Sequence, residues 1–313
     1  MAEIEDYVGQ CASLAALLEV SAYPKPGNVH RLRDFEGTTY EHFLASSIAI
    51  APWMGKLASR CKKVASQGLE FSEVGVGRNI LDATEEMFRW QAGGNVHLGI
   101  ILLFSPISAA AGIASEGHTT DPIKLRHSLT RILRSTTPVD AADIYKTINM
   151  AMRKENLGSQ EELDVTDPRS IEKILKNNVT PVNIFELCME RDSICSEWVT
   201  GFKITFEEGY PYLASQLTRN DVNDSILNTF LMIMSHHPDS LVTRKKGLKE
   251  AEKLQQKAGT ILEVGGAGTR EGKRMLFRLD KKLQKENGLM NPGTTADLTA
   301  ASLFVLLLTG WRP

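Results

Sequence analysis

LGIILLFSPISAAAGIA, residues 98–114, and DLTAASLFVLLLTGW, residues 297–311, are the two most apolar stretches of the chain, and how they are read decides the fold. A membrane-spanning helix needs about 20 consecutive apolar residues. The first stretch is interrupted by Ser105, Pro106 and Ser108, and the second is only 15 residues long and opens on a carboxylate. Both are therefore read as helices buried in a protein core, and the rest of the chain has to supply the helices that cover them.

The flanking segments meet that demand. Apolar side chains recur at helical spacing in Ile4, Val8, Cys11, Ala12, Ala15 and Leu18, and again in Phe43, Ile48, Ile50, Ala51 and Met54. Alternating Val, Ile and Thr runs are scarce, so an all-α protein of roughly a dozen helices with a buried central helix layer is expected. Helix starts are expected at Asp140 before AADIYKTINMAMRK, at Asp224 before SILNTFLMIM, and at Thr294 or Thr295 ahead of Asp297. No fixed-period repeat is present, which argues against a solenoid. Residues 1–313 are read as one large domain, with the polar segment 155–181 as a surface excursion rather than a linker.

Composition narrows the function. With 42% hydrophobic residues and a net charge of −2, the chain can fill a sizeable core but has no overall field to recruit nucleic acid or an anionic membrane. Any anion site must be local. The cysteines Cys11, Cys61, Cys188 and Cys195 show no C-x-x-C spacing and are read as reduced core thiols. The start, MAEIEDYVGQ, lacks a basic n-region and an apolar h-region, so a cytoplasmic protein is expected.

VGGAGTREGKR, residues 264–274, resembles a phosphate-binding loop but fails its spacing at Ala267 and Arg274. A helix-to-helix turn is the reading adopted. Four other stretches place turn residues and polar groups at the ends of apolar helices: YPKPGNVHR (23–31), GGNVHLG (93–99), HHPDSLVTRKKG (236–247) and NPGTTAD (291–297). Gly93 and Gly94 allow close backbone approach to a ligand, Asn95 is suited to cap the following helix, and His97 is expected in its first turn. Asp297 opens a wholly apolar helix, so it must cap, pair with a cation or bind a metal, because a lone buried charge is too costly. His236, His237 and Asp239 match no zinc spacing, and adjacent histidines point apart on a helix, so a metal centre built on both histidines is not expected. Taken singly, Lys25 and Arg31 read equally well as ordinary solvated charges.

Taken together, the stretches resemble the triphosphoribosyl-dephospho-CoA synthases, which make the precursor of the prosthetic group of citrate and malonate lyases. The resemblance rests on KPG at Lys25–Gly27, on Gly93, Asn95, His97 and Gly99, on Asp239 with Arg244, and on NPG-x-x-AD from Asn291 to Asp297. It implies an all-α transferase that moves the triphosphoribosyl group of ATP to the 2′-hydroxyl of dephospho-CoA and releases adenine, with Mg²⁺ accompanying the ATP. Ribosyl transfer at C1′ passes through an oxocarbenium-like transition state. It calls for cations on the triphosphate, a carboxylate near the sugar and a group to meet the departing base.

Under that reading Asp239, Asp297 and His97 are the catalytic candidates, with Asp239 and Asp297 also the candidate Mg²⁺ ligands. Candidate substrate-binding residues are Lys25, Gly27, Asn28, His30 and Arg31 in the first stretch and Gly94 and Asn95 in the second. Arg244 and Lys245 in the third and Asn291, Gly293 and Thr294 in the fourth complete the set. His97 or Asn95 would orient or protonate the leaving base. The prolines and Gly27 would fix a turn that presents Lys25, Asn28 and Arg31 to a polyphosphate. Two positions depart from the bacterial synthases, which usually carry an aspartate where this chain has His30 and a lysine where it has Leu98; a histidine- and lysine-rich segment of theirs is absent from RLRDFEGTTYEHF. The chain thus resembles a divergent member. The alternatives are a nucleotide or phosphoribosyl-compound binding protein or hydrolase of the same fold, and a non-catalytic helical scaffold. The apolar helices could equally bury against a second subunit, and a homodimer is the commonest oligomer.

Overall fold

In the computed structural model the two apolar stretches become α4 (Leu98–Ala114) and α15 (Gly293–Leu308), and they cross at the centre of the molecule. Every residue of α4 except Gly99 and Ile113 is buried, and so is every residue of α15 except Gly293 and Asp297. The two helices meet through the stacked rings of Phe104 and Phe304, 4.5 Å between centroids, a geometry that adds about 1 kcal/mol beyond area burial. The structure describes residues 3–116, 119–152, 163–165, 167 and 169–313. Among the described residues no helix is long and apolar enough to cross a membrane.

Thirteen further helices complete the described fold, which is all-α apart from a hairpin of two-residue strands, β1 (Ser115–Glu116) and β2 (Thr119–Thr120). On one side α1 (Ile4–Ser21), α2 (Tyr40–Gln67), α3 (Val76–Trp90) and α5 (Pro122–Ser135) cover α4. On the other, α10 (Tyr210–Gln216), α11 (Val222–His236) and α12 (Ser240–Lys246) pack on α15, and a π-helical turn, Ile204–Gly209, joins them. Between these, α9 (Ser193–Thr200) touches both central helices, and its Trp198 Nε1 donates to the Leu102 carbonyl at 3.1 Å. The outer helices α13 (Leu248–Glu263) and α14 (Arg270–Leu283) follow, and α1 also lies along α15, where the Tyr7 hydroxyl donates to the Leu307 and Leu308 carbonyls.

The polar excursion has a small core of its own. The helices α6 (Pro138–Ala151), α7 (Arg169–Lys176) and α8 (Pro181–Glu186) bury Ala141, Tyr145, Ile174 and Ile184 together, apart from the main core. Residues 155–162, 166 and 168 of the excursion lie outside the described residues. Residues 264–269 of the segment 264–274 form a helix-to-helix turn between α13 and α14, held by Asn228 Oδ1 accepting from the Ala267 N–H at 2.7 Å, and residues 270–274 begin α14.

Several local expectations need correction. Asp140 does not begin α6: Thr137 is the cap, Pro138 the first helical residue, and Asp140 returns a bond to the Thr137 N–H at 2.7 Å as the third residue of a capping box. Asp221 likewise caps α11, with Asp224 three residues inside. The helix α15 begins at Gly293, so Thr294 and Thr295 are already in its first turn. His97 is the residue before α4 rather than part of it. Ile48 is 59% exposed and faces solvent, because helix α2 turns its Ala49, Ile50 and Met54 inward instead. Cys188 and Cys195 are not reduced thiols. The turn between α8 and α9 brings their Cα atoms to 5.9 Å and they form a disulfide, while Cys11 and Cys61 are free and buried.

Candidate active site

The four polar stretches, scattered over 270 residues of sequence, meet around the start of α15. Gly27, at φ +74°, lets the KPG turn lie against the residue that precedes the fourth stretch, where a Cβ would come 2.8 Å from the Met290 carbonyl. Gly99 does the same for the second: a Cβ there would overlap Oδ2 of Asp297. The third is joined through Asp239, whose Oδ1 caps α12 at the Val242 N–H (2.9 Å) while Oδ2 accepts from the N–H and Oγ1 of Thr295, both at 2.8 Å. One carboxylate thus caps two helices, and α15 takes its N-terminal cap from a distant part of the chain.

Gly99 and Asp297 face each other, and each is among the few residues of its helix that solvent reaches. The two helices are in close contact at this point, and the Asp297 side chain, only partly reached by solvent, lies against Gly99. It accepts no hydrogen bond from any described protein group. Desolvation first, and then the charges of Glu19, Asp239 and Asp192, push its carboxyl well above the ordinary range, with Lys25 opposing. Lys25, only 1% exposed, donates from Nζ to the Glu19 carbonyl at 2.9 Å and pairs closely with the Glu19 carboxylate. Burial holds the Lys25 ammonium below its usual range and the Glu19 carboxyl above it, and each partly offsets the other.

His97 is fully enclosed beside Phe43 and Ser46, with Nδ1 2.8 Å from the Ser46 hydroxyl. Its Nε2 is buried without a partner. Burial, and secondarily the Lys25 charge, lower its pKa to about 3, so the ring is neutral at physiological pH. Oδ1 of Asn291, in the fourth stretch, is likewise buried without a partner. Asn79, Ser108, Thr205 and Ser225 also carry such atoms elsewhere in the described fold, but His97 and Asn291 belong to two of the four converging stretches.

The remaining predicted residues divide. Arg244 reaches Asp192, which caps α9, and Lys245 donates to the Gly288 carbonyl at 2.9 Å; both lie on the helix that Asp239 begins. Gly293 and Thr294 form the first turn of α15. Asn95 Oδ1 accepts from the Leu98 N–H at 3.1 Å, and Asn95 and Gly94 are exposed at the mouth of α4. Asn28 is buried and its carbonyl accepts from Gln284 at 2.8 Å. His30 and Arg31 turn elsewhere: His30 Nε2 is 3.3 Å from Asp280 on α14, and Arg31 lies over the Tyr23 ring and reaches Asn223 on α11.

Sequence reasoning missed Glu19, Ser46 and Asp192. Glu19 carried a signal, as a carboxylate on the buried face of α1 with Ala12, Ala15 and Ala16. The other two carried none. Away from this site, the expectation that His236 and His237 point apart fails. His236 ends α11, His237 is extended at φ −124° and ψ 117°, and both rings contact Glu208.

A family profile described as ATP:dephospho-CoA triphosphoribosyl transferase matches residues 5–313. The chain belongs to this family. Relatives in the family include a candidate 2-(5″-triphosphoribosyl)-3′-dephosphocoenzyme-A synthase of Pseudomonas fluorescens, 24% identical over 298 residues that cover 93% of this chain and 88% of the relative. Another, from Vibrio cholerae, is 25% identical and covers 95% and 87%. The crystal structure of a candidate triphosphoribosyl-dephospho-CoA synthase from Archaeoglobus fulgidus superposes with a TM-score of 0.64 at 27% identity, over 88% of this chain and 100% of that one. The triphosphoribosyl transferase family thus extends over both central helices and all four converging stretches.

Proposed function

We propose that this chain transfers the triphosphoribosyl group of ATP to the 2′-hydroxyl of dephospho-CoA and releases adenine. The observation that carries the reading is the meeting of the four stretches around a partly accessible, unbonded Asp297 in a member of this transferase family.

The reaction breaks the bond from C1′ to the adenine nitrogen and forms one from C1′ to the acceptor oxygen. Asp297 is the group to take the acceptor hydroxyl's proton: its raised pKa gives the carboxylate the basicity that proton abstraction requires. Its position among Glu19, Asp239 and Asp192 also favours positive charge at the sugar as the oxocarbenium character develops. His97, neutral and with a free Nε2, is suited to hydrogen-bond the departing base; with a pKa of about 3 it orients adenine rather than protonating it. Arg244 and Lys245, the cations of α12, would meet the triphosphate in place of their present partners Asp192 and the Gly288 carbonyl.

Mg²⁺ fits the donor set, because an unbonded carboxylate plus substrate phosphates is how this ion is usually held. Of the two ligands expected, Asp297 is the one whose oxygens are not committed to helix caps; a metal-bound Asp297 would be a weaker base, so ligand and base are alternative roles for this one carboxylate. Bound there, the ion would neutralise phosphate charge.

The test is chromatography of the purified protein incubated with ATP, Mg²⁺ and dephospho-CoA. Adenine release that requires dephospho-CoA, with a matching mass gain on the acceptor, is the expected result. Adenine with free triphosphoribose and no acceptor dependence would make the chain a hydrolase, and no adenine under any condition would defeat the reading.

A further inference from the structure

We propose that Glu208, His236 and His237 form a second site, for a divalent first-row transition ion such as Zn²⁺, apart from the transferase chemistry. His237 Nε2 lies 3.1 and 3.0 Å from the two Glu208 oxygens, and His236 Nδ1 lies 3.0 Å from Oε2. The three donor atoms all fall within 4.8 Å of one another.

Two irregularities of the backbone build this cluster. Neighbouring residues of a continuous helix would send their rings about 100° apart, but α11 stops at His236 and His237 is extended, so both rings turn to one side. Glu208 comes from the π-helical turn, a form that recurs at functional sites because its extra residue re-aims side chains. That turn is pinned from beneath, where buried Glu197 accepts from the N–H groups of Ile204 (2.7 Å) and Thr205 (3.0 Å). The His236 backbone is held as well, its carbonyl accepting from Gln255 at 3.0 Å.

The chemistry of the donors selects the ion. Two imidazoles and one carboxylate suit Zn²⁺ and its neighbours better than Mg²⁺ or Ca²⁺, which prefer oxygen. Tetrahedral ligands at about 2.0–2.1 Å from Zn²⁺ are separated by about 3.3–3.4 Å, so the two histidine–Glu208 spacings need to open by only a few tenths of an ångström, and the two imidazole nitrogens already fall within 4.8 Å of each other. All three side chains are reached by solvent, so an ion can enter and a water can complete its shell. An ion here would tie the π-helical turn to the end of α11, three residues before Asp239.

The experiment is calorimetric titration of the purified full-length protein with ZnCl₂ at about neutral pH, where imidazole is available as a ligand, together with Co²⁺ loading read by its visible d–d absorption. One equivalent is expected to bind with a tetrahedral Co²⁺ spectrum. Affinity should fall by about tenfold or more in E208Q and be lost in the double variant H236A/H237A. These are surface substitutions, and circular dichroism verifies that the variants fold. The absence of stoichiometric binding would overturn the proposal and leave the cluster as a His–Glu ion-pair network. Equal binding by the double variant, which keeps Cys11 and Cys61, would overturn it too.

Discussion

Asp297 and Asp239 are both embedded carboxylates with raised pKa values, yet their bonding assigns them opposite consequences. Asp297 has like-charged neighbours and no protein hydrogen bond, so neutralising it relieves repulsion. D297N is expected to lower adenine release by about 10²–10⁴-fold while leaving the thermal midpoint unchanged or raising it. Asp239 accepts from three donors on two helices, and an amide there confronts one of them with a second donor. D239N should cost about 1–3 kcal/mol of stability, measured by urea denaturation, in addition to any loss of rate. Asp297 was legible in the sequence because a carboxylate opening an apolar helix demands an explanation. The bridge from Asp239 to Thr295 was not, since nothing local says that a cap on one helix also serves another 56 residues on. Glu19 and Asp192 became part of the site only through tertiary contact with Lys25 and Arg244.

Among the elements, the contact of α4 with α15 depends on Gly99. G99A would drive a methyl group into the Asp297 carboxylate and bring it 2.9 Å from Ile194 Cδ1. Overpacking of this kind costs about 1–3 kcal/mol, and because it displaces Asp297 the variant should also lose transferase activity. Part of the cost should disappear in a D297A background, a coupling of about 1 kcal/mol in a double-mutant cycle. The two interior helices were legible from composition alone. The starts of α6 and α11 lie three residues earlier than expected, because Thr137 and Asp221 are the caps, while Asp140 and Asp224 are the third residues of their helices. The π-helical turn and the extended His237 leave no periodic trace in the sequence, which is why a metal centre on both histidines is not expected from it and nothing in it points to Glu208.

For the whole molecule, two buried groups set opposing responses to acid. Burial raises the Glu197 carboxyl to about 7 from 4.5, despite the backbone and side-chain hydrogen bonds it accepts, and lowers His97 to about 3 from 6.5. Between pH 4.5 and 6.5 the native protein holds its proton on Glu197 and the unfolded chain holds one on the histidine. The two contributions therefore cancel. Relative to wild type, H97Q should gain stability as pH falls through this window and E197Q should lose it, each with a slope approaching about 1.4 kcal/mol per unit, read from denaturation midpoints at several pH values. The all-α class and the convergence of distant motifs on one site were accessible to sequence reasoning; the disulfide was not, because Cys188 and Cys195 are brought together by a turn between two short helices. The central crossing has one more consequence, in the order of synthesis. The helix α4 is complete some 180 residues before α15 begins, so a nascent chain carries one of its most apolar helices without its stacking partner for most of translation. At about 5–20 residues per second that interval lasts roughly ten to forty seconds, during which Phe104 has no Phe304 to meet and the exposed face is a ready target for chaperones.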